Sequence, residues 1–201
     1  MTAPLAVLFL TLAAQTPGVN PAAPRSGLSR ELSDAFGRKL ERLEKFDHDP
    51  KLKRSPVSVY ESELNSYVRY ALAEKVPRGL RDVRIVLRDD RFELRGLANL
   101  SEFSELKEKA ASAASFLSLL GGEMAVEIVA DFNSDRGFGQ FELVSAQLGP
   151  VPLSPAIVGN IVARATVDAS RPNGFDIRAP FRLPYSARRI RAQPALATVE
   201  Y

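Results

Sequence analysis

The chain has 201 residues, no cysteine, a single histidine and a formal net charge of +3. This length suits one domain, and the 45% hydrophobic content is ordinary for a protein with a buried core. The lack of cysteine excludes disulfides, thiolate metal sites, cysteine nucleophiles and a lipoprotein anchor, and the small charge without an RNA-binding aromatic motif argues against nucleic acid as a partner.

The first fourteen residues are typical of a secretory signal. Residues 5–14 form an apolar run of ten residues, which is too short for a bilayer because a spanning helix needs about 20. Small residues, Ala13 and Ala14, stand where cleavage is expected, although no Lys or Arg precedes the run. A Pro/Ala-rich linker covers residues 15–27. We therefore expect an exported protein, periplasmic or extracellular after signal removal; a packed or disordered N-terminus is the alternative.

The first structured part is predicted to contain two helices and a strand. Apolar residues recur at helical spacing over residues 28–48, with charged residues on the opposite face, and indicate an amphipathic helix. A short strand at residues 57–59 leads into a second helix over 61–74, whose apolar stripe follows the same spacing.

Two hairpins follow, because the apolar period changes to two. Val83, Ile85 and Leu87 form the apolar face of the first strand, which turns at Asp89-Asp90 into a second strand over 92–96. The second hairpin joins a strand with apolar Met124, Val126, Ile128, Ala130 and Phe132 to a strand over 138–148, through a turn at 133–137. Residues 101–120 between the hairpins are predicted to be helical.

The last part is predicted to hold an apolar helix and extended segments. Gly149-Pro-Val-Pro152 introduces a helix over 154–165 with an apolar band that includes Ile157 and Ile161. Residues 175–201 are extended and interrupted by prolines. Residues 28–201 are thus expected to form one α+β domain.

The residue types that carry chemistry do not form a recognisable active site. His48 stands alone in a polar Asp-His-Asp run, which is more typical of a solvated loop than of a metal site. Paired carboxylates such as Glu61 and Glu63 fit helix capping, and Asn65 fits local hydrogen bonding. We therefore expect no catalysis, no metal and no cofactor; a carboxylate-dependent hydrolase is the less favoured alternative.

Three passages carry a family resemblance. They are Val-Ser-Val-Tyr-Glu-Ser-Glu-Leu-Asn-Ser-Tyr at 57–67, Phe-Glu-Leu-Val-Ser-Ala-Gln-Leu-Gly-Pro-Val-Pro-Leu at 141–153, and Pro-Phe-Arg-Leu-Pro-Tyr-Ser-Ala-Arg-Arg-Ile at 180–190. Together they resemble uncharacterised exported bacterial proteins similar to the LmeA-type and YpmS-type phospholipid-binding domains, which are related to the tubular lipid-binding (TULIP) fold. The resemblance covers residues 55–201. Tyr60 departs from it, since relatives often have a Ser or Thr helix cap there.

This resemblance implies curved antiparallel strands and hairpins wrapped around amphipathic and apolar helices, in a TULIP-like half barrel. The implied function is an exported lipid-binding or carrier module whose partner is a lipid or another long apolar molecule. The expected apolar lining is Val83, Ile85, Leu87, Met124, Val126, Ile128, Ile157 and Ile161. The alternative is that these residues fill a closed core, in which case the protein is a structural or protein-interaction domain.

A basic surface is also predicted. Arginines on strands with few neighbouring acids suit contact with anionic head groups or an anionic membrane surface, because a guanidinium can bind a phosphate through two hydrogen bonds. The residues expected to do so are Arg84, Arg88, Arg188, Arg189 and Arg191. Solvated surface charge without a ligand is the alternative.

Overall fold

The computed structural model describes residues 27–49, 51–76, 79–99, 123–167 and 171–201. Within these ranges the chain forms three α-helices and two antiparallel sheets, which confirms the α+β class. The expected signal segment, most of the linker and the helix predicted at 101–120 lie outside the described residues. The half-barrel arrangement stays a prediction.

The elements are as follows in chain order: α1 (Arg30–His48), β1 (Val57–Tyr60), α2 (Glu61–Tyr70), β2 (Leu80–Arg88), β3 (Arg91–Asn99), β4 (Glu123–Asp135), β5 (Phe138–Leu148), β6 (Val151–Pro152), α3 (Pro155–Ala165), β7 (Phe181–Arg182), β8 (Arg189–Gln193) and β9 (Leu196–Glu200). Short 3-10 turns lie at Ala73–Lys75 and Pro184–Ser186.

The large sheet has the strand order β2-β3-β4-β5-β6, and β7 pairs with the start of β5. The small sheet has the order β1-β9-β8, so the first strand of the described chain pairs with the last one. Strand β8 packs against β2, β3, β4 and β5. The Ser134 hydroxyl fixes this contact by accepting from the Ile190 N–H (2.8 Å) and donating to the Ile190 carbonyl (2.7 Å).

The core lies between the two sheets and the helices α1 and α2. Its centre is a group of phenylalanines on the inner face of the large sheet, where the rings of Phe92 and Phe132 are 5.5 Å apart and those of Phe132 and Phe141 are 4.8 Å apart. Edge-to-face and tilted contacts of this kind add to the free energy of apolar burial. This end of the domain is therefore a filled core.

The helices are held together by a buried ion pair. The Lys39 ammonium on α1 donates to both carboxylate oxygens of Glu63 on α2, at 2.8 and 2.6 Å, and to the Ser58 carbonyl of β1 at 2.8 Å. Glu63 also accepts from the Tyr60 N–H at 3.0 Å, so α2 begins at the residue after Tyr60 without a Ser or Thr cap. These contacts also satisfy backbone groups on the outer edge of β1.

Three details differ from the sequence prediction. Helix α2 ends at Tyr70 rather than continuing to residue 74, because the chain enters a 3-10 turn. The second hairpin has a two-residue turn, Arg136-Gly137, with φ of 50° and 84°, instead of a turn over 133–137. Strict alternation from the buried Phe141 would bury the odd-numbered residues along the whole of β5. The pairing of β5 with β4 shifts register opposite Val129 and Ala130, so beyond this point the even-numbered Ala146 and Leu148 are buried instead.

Candidate functional site: a pocket beside the edge of the large sheet

Strand β2 is the edge of the large sheet, and α2 closes most of this edge through two side chains. The Asn65 side-chain amide donates to the Ile85 carbonyl at 2.7 Å, and its oxygen accepts from the Ile85 N–H, also at 2.7 Å. One helical turn earlier, the Glu61 carboxylate accepts from the Leu87 N–H at 2.8 Å. Asn65 thereby acts as the hydrogen-bonding residue that the sequence suggested, in a structural role.

The contact between α2 and β2 ends where β2 bulges. The pairing of β2 with β3 shifts register between Arg81 and Arg84, and Asp82 inside the bulge has φ of 51°, a left-handed conformation that Asp tolerates better than most residues. At the same level the chain leaves α2 and enters the 3-10 turn. The space between these irregular segments is a pocket of about 180 Å³.

The pocket is amphipathic. Six of its lining residues are apolar, namely Leu28, Val68, Ala73, Val76, Leu80 and Val83, and three are charged, namely Arg69, Asp82 and Arg84. The floor is apolar, because Val68 is buried and Leu28, Val76, Leu80 and Val83 are half-buried. Ala73 and the three charged residues are exposed and lie at the mouth. Such a lining suits a molecule with an apolar part and a polar end.

The charge of the mouth is positive, because two arginines face one aspartate. Within the part of the chain that the structure describes, neither Arg69 nor Arg84 forms an ion pair or a side-chain hydrogen bond. Arg69 lies in the last turn of α2, where the helix dipole favours a cation. Arg84 lies directly opposite Arg95 on β3, which binds Glu127 at 2.9 Å instead.

No protein-family model, curated protein or solved structure matches this chain.

The structure divides the predicted apolar lining into four groups. Ile85 and Leu87 are 1% and 0% exposed in the filled core, whereas Val83 lines the pocket. Farther along the inner face, Met124, Val126 and Ile128 are half-buried, as is Ile161 on α3. Ile157 is 40% exposed, and Val158 is the buried residue at that point, because the apolar band of α3 is wider than the side that packs on the sheet.

The predicted basic surface is not one continuous patch of free charge. Arg189 binds Asp135 at 3.0 Å, Arg191 binds Glu200 at 3.3 Å, and Arg88 binds Glu93 at 3.4 Å. Arg189 and Arg191 share one face of β8, on either side of the buried Ile190. Arg188 is exposed, and of the predicted arginines Arg84 alone lines the pocket.

Among the titratable groups of the described residues, three half-buried tyrosines have a raised pKa. Burial raises the pKa of Tyr185 to about 12 and also raises the pKa values of Tyr67 and Tyr201, so these hydroxyls are neutral at neutral pH. His48 is the last residue of α1 rather than a loop residue, and its ring Nδ1 lies 2.8 Å from the Glu44 carbonyl oxygen.

Two broader features of the described residues bear on ligands and membranes. They contain no group of three or more His, Cys, Asp or Glu side chains that could hold a metal ion. Among their helices none has the length and apolar character to cross a bilayer.

Sequence reasoning found part of this pocket and missed the rest. Val83 and Arg84 were expected at a ligand site, and Val68 was recognised as part of an apolar stripe. Arg69 was missed, since a basic residue in a last helical turn has an ordinary explanation in the helix dipole. Leu28 was predicted as the first residue of the amphipathic helix, whereas the structure begins α1 at Arg30. Its place in the pocket was missed because the proximity of Leu28 to β2 is set by tertiary packing.

Proposed function

We propose that the protein is an exported module that binds an amphiphilic or apolar small molecule, such as part of a lipid, without chemistry. The observation that carries the proposal is the pocket beside β2, with an apolar floor and charged groups confined to its mouth. The resemblance to phospholipid-binding domains supports the same ligand class. The half-buried Met124, Val126 and Ile128 extend the apolar inner face away from the filled core.

The size of the pocket limits what it holds. A volume of about 180 Å³ is smaller than typical drug-sized sites of roughly 300–1,000 Å³ and equals the liquid volume of about six water molecules. It therefore accommodates the end of one alkyl chain, of roughly six to eight carbons, and not a whole phospholipid. Burying about six methylenes contributes roughly 5 kcal/mol before association costs, so the apolar floor alone supports high-micromolar binding at best.

A direct test uses 1-octanol as a neutral probe and follows backbone amide shifts by NMR. We expect saturable shifts at residues that line the pocket. Ala73→Phe should weaken octanol binding at least tenfold by filling the mouth. Ala71→Phe, at another exposed position two residues earlier that is not among the described lining residues, should leave it unchanged. Equal effects of both variants, or no saturable shift in the wild-type protein, would remove the basis of the proposal.

The second candidate is a structural or protein-interaction domain. The core around Phe132, with Ile85 and Leu87 almost completely buried, favours it, because side chains of the protein itself pack against this half of the inner face. On that alternative octanol produces no saturable shift, and Ala73→Phe has no effect on ligand uptake.

A further inference from the structure

We propose that Arg69 and Arg84 form an oxyanion subsite at the mouth of the pocket, so that the ligand is an amphiphile with a carboxylate or phosphate end. This inference rests on the proposed function, since it assigns a head group to a molecule whose apolar end occupies the pocket floor. It follows from four observations about these two residues and their surroundings.

The first observation is that the two arginines come from different elements to one opening. Arg69 belongs to α2 and Arg84 to β2, fifteen positions apart in sequence, and both contribute to the lining of the same pocket. Two guanidinium groups beside an apolar floor supply planar donors that suit a carboxylate or phosphate, with the alkyl chain directed inward.

The second observation is that Arg84 differs from its neighbours on the large sheet. Arg81 pairs with Glu123, Arg88 with Glu93, Arg91 with Asp131, and Arg95 with Glu93 and Glu127. The sheet thus provides a carboxylate for each of these arginines. Arg84 instead faces Arg95 across the strand pair, and the described residues place no acid within ion-pair distance of it. An anionic ligand would provide the missing counter-charge.

The third observation is the local backbone. The bulge at Asp82 and Val83 is the point at which β2 leaves α2, and it places Val83 on the floor and Arg84 at the mouth in adjacent positions. A regular strand would extend the pairing between α2 and β2 seen at Ile85 and would close the pocket. The same irregularity therefore creates the apolar space and positions a cation beside it.

The fourth observation is the charge balance of the mouth. Among the described lining residues Asp82 is the one acid, and it forms no ion pair with either arginine, so these residues together carry a net charge of +1. A single oxyanion would neutralise it. A cationic amphiphile would meet two like charges and be disfavoured.

The experiment compares ligands of one chain length: octanoate, octyl phosphate and 1-octanol, titrated into the full chain at pH 7.5 and low salt. We expect both anions to bind about tenfold more tightly than octanol, with the preference decreasing as salt rises, because the subsite is exposed to solvent. Arg69→Gln and Arg84→Gln should each reduce the preference, and the double variant should abolish it while leaving octanol binding unchanged. Arg136→Gln, which removes the same charge at the opposite end of the sheet, should retain it.

Four other outcomes would overturn the inference. Equal binding of octanoate and octanol would remove the oxyanion subsite but leave the proposed function intact, whereas failure of all three ligands would remove both. Persistence of the preference in the double variant would show that other groups hold the anion. If inorganic phosphate displaces octyl phosphate when the two are present at equal concentration, the site binds the free ion and the alkyl chain does not contribute to binding.

Discussion

The side chain of Asn65 pairs with the backbone of Ile85 as another strand would, donating to its carbonyl and accepting from its N–H at 2.7 Å each. Both residues are buried, so neither backbone group has water as an alternative partner. A helix side chain thus completes the edge of the large sheet and fixes the distance between α2 and β2 immediately before the pocket.

Replacing Asn65 should therefore be costly. Asn65→Ala leaves a buried N–H and a buried carbonyl without partners, and we expect the free energy of unfolding to fall by about 3 kcal/mol, because each unsatisfied group costs roughly 1–3 kcal/mol. Urea denaturation measures it. The control is Asn160→Ala, an exposed asparagine on α3, which should change stability by less than about 0.5 kcal/mol. Similar effects of the two substitutions would contradict the structural role of Asn65.

The buried pair of Lys39 and Glu63 gives a second prediction. Lys39→Met removes the partner of a carboxylate that is only 9% exposed and of the Ser58 carbonyl, and should lower the free energy of unfolding by about 3 kcal/mol. The double variant Lys39→Met/Glu63→Gln should recover part of this loss, since no buried charge then remains unpaired. Lys45→Met, at an exposed position on the same helix, is the control for loss of a lysine. A double variant less stable than Lys39→Met would disprove this account.

Two glycines should respond to alanine in opposite directions. A Cβ at Gly139 would lie 2.9 Å from both Leu183 Cδ2 and Phe181 Cζ, so Gly139→Ala should cost about 1–3 kcal/mol through overpacking. A Cβ at Gly159 on α3 would meet its nearest neighbour, Arg178 Nε, at 3.8 Å. Gly159→Ala should thus stabilise the protein by up to about 1 kcal/mol through helix propensity. Thermal and urea unfolding of both variants test the packing of β5 and α3, and a stabilised Gly139→Ala would be inconsistent with it.

Alkaline pH should destabilise the domain through its half-buried tyrosines. The pKa of Tyr185 is raised to about 12 by burial, above its unfolded value of about 10, so its contribution to stability is complete below pH 10 and is lost as pH rises toward 12. We expect the urea midpoint of the wild-type protein to decrease more steeply than that of Tyr185→Phe between pH 10 and 11.5. Tyr70→Phe, at an exposed position, should follow the wild-type curve. Parallel curves for wild type and Tyr185→Phe would refute the assignment.

Local periodicity predicted the helices and hairpins within the described residues, because the spacing of apolar residues in each element can be read within one continuous stretch of sequence. It could not predict the small sheet, in which Val57 pairs with Val199 across most of the chain. Nor could it predict the pocket, since this depends on a backbone irregularity at Asp82 and on a 3-10 turn, neither of which changes the apolar pattern. Arg84 was found because strand alternation placed it outward, whereas the convergence of Arg69 on the same opening is a tertiary property.

Closure of strand edges by single side chains has a consequence for how this protein behaves at high concentration. Lys39 and Glu63 occupy backbone groups on the edge of β1, and Asn65 and Glu61 do so on β2. Unpaired edges are templates for strand addition between molecules. Loss of the Asn65 side chain weakens the contact that keeps α2 over the edge of β2. We therefore expect Asn65 variants to form intermolecular sheets at urea concentrations that detach α2 but do not unfold the domain.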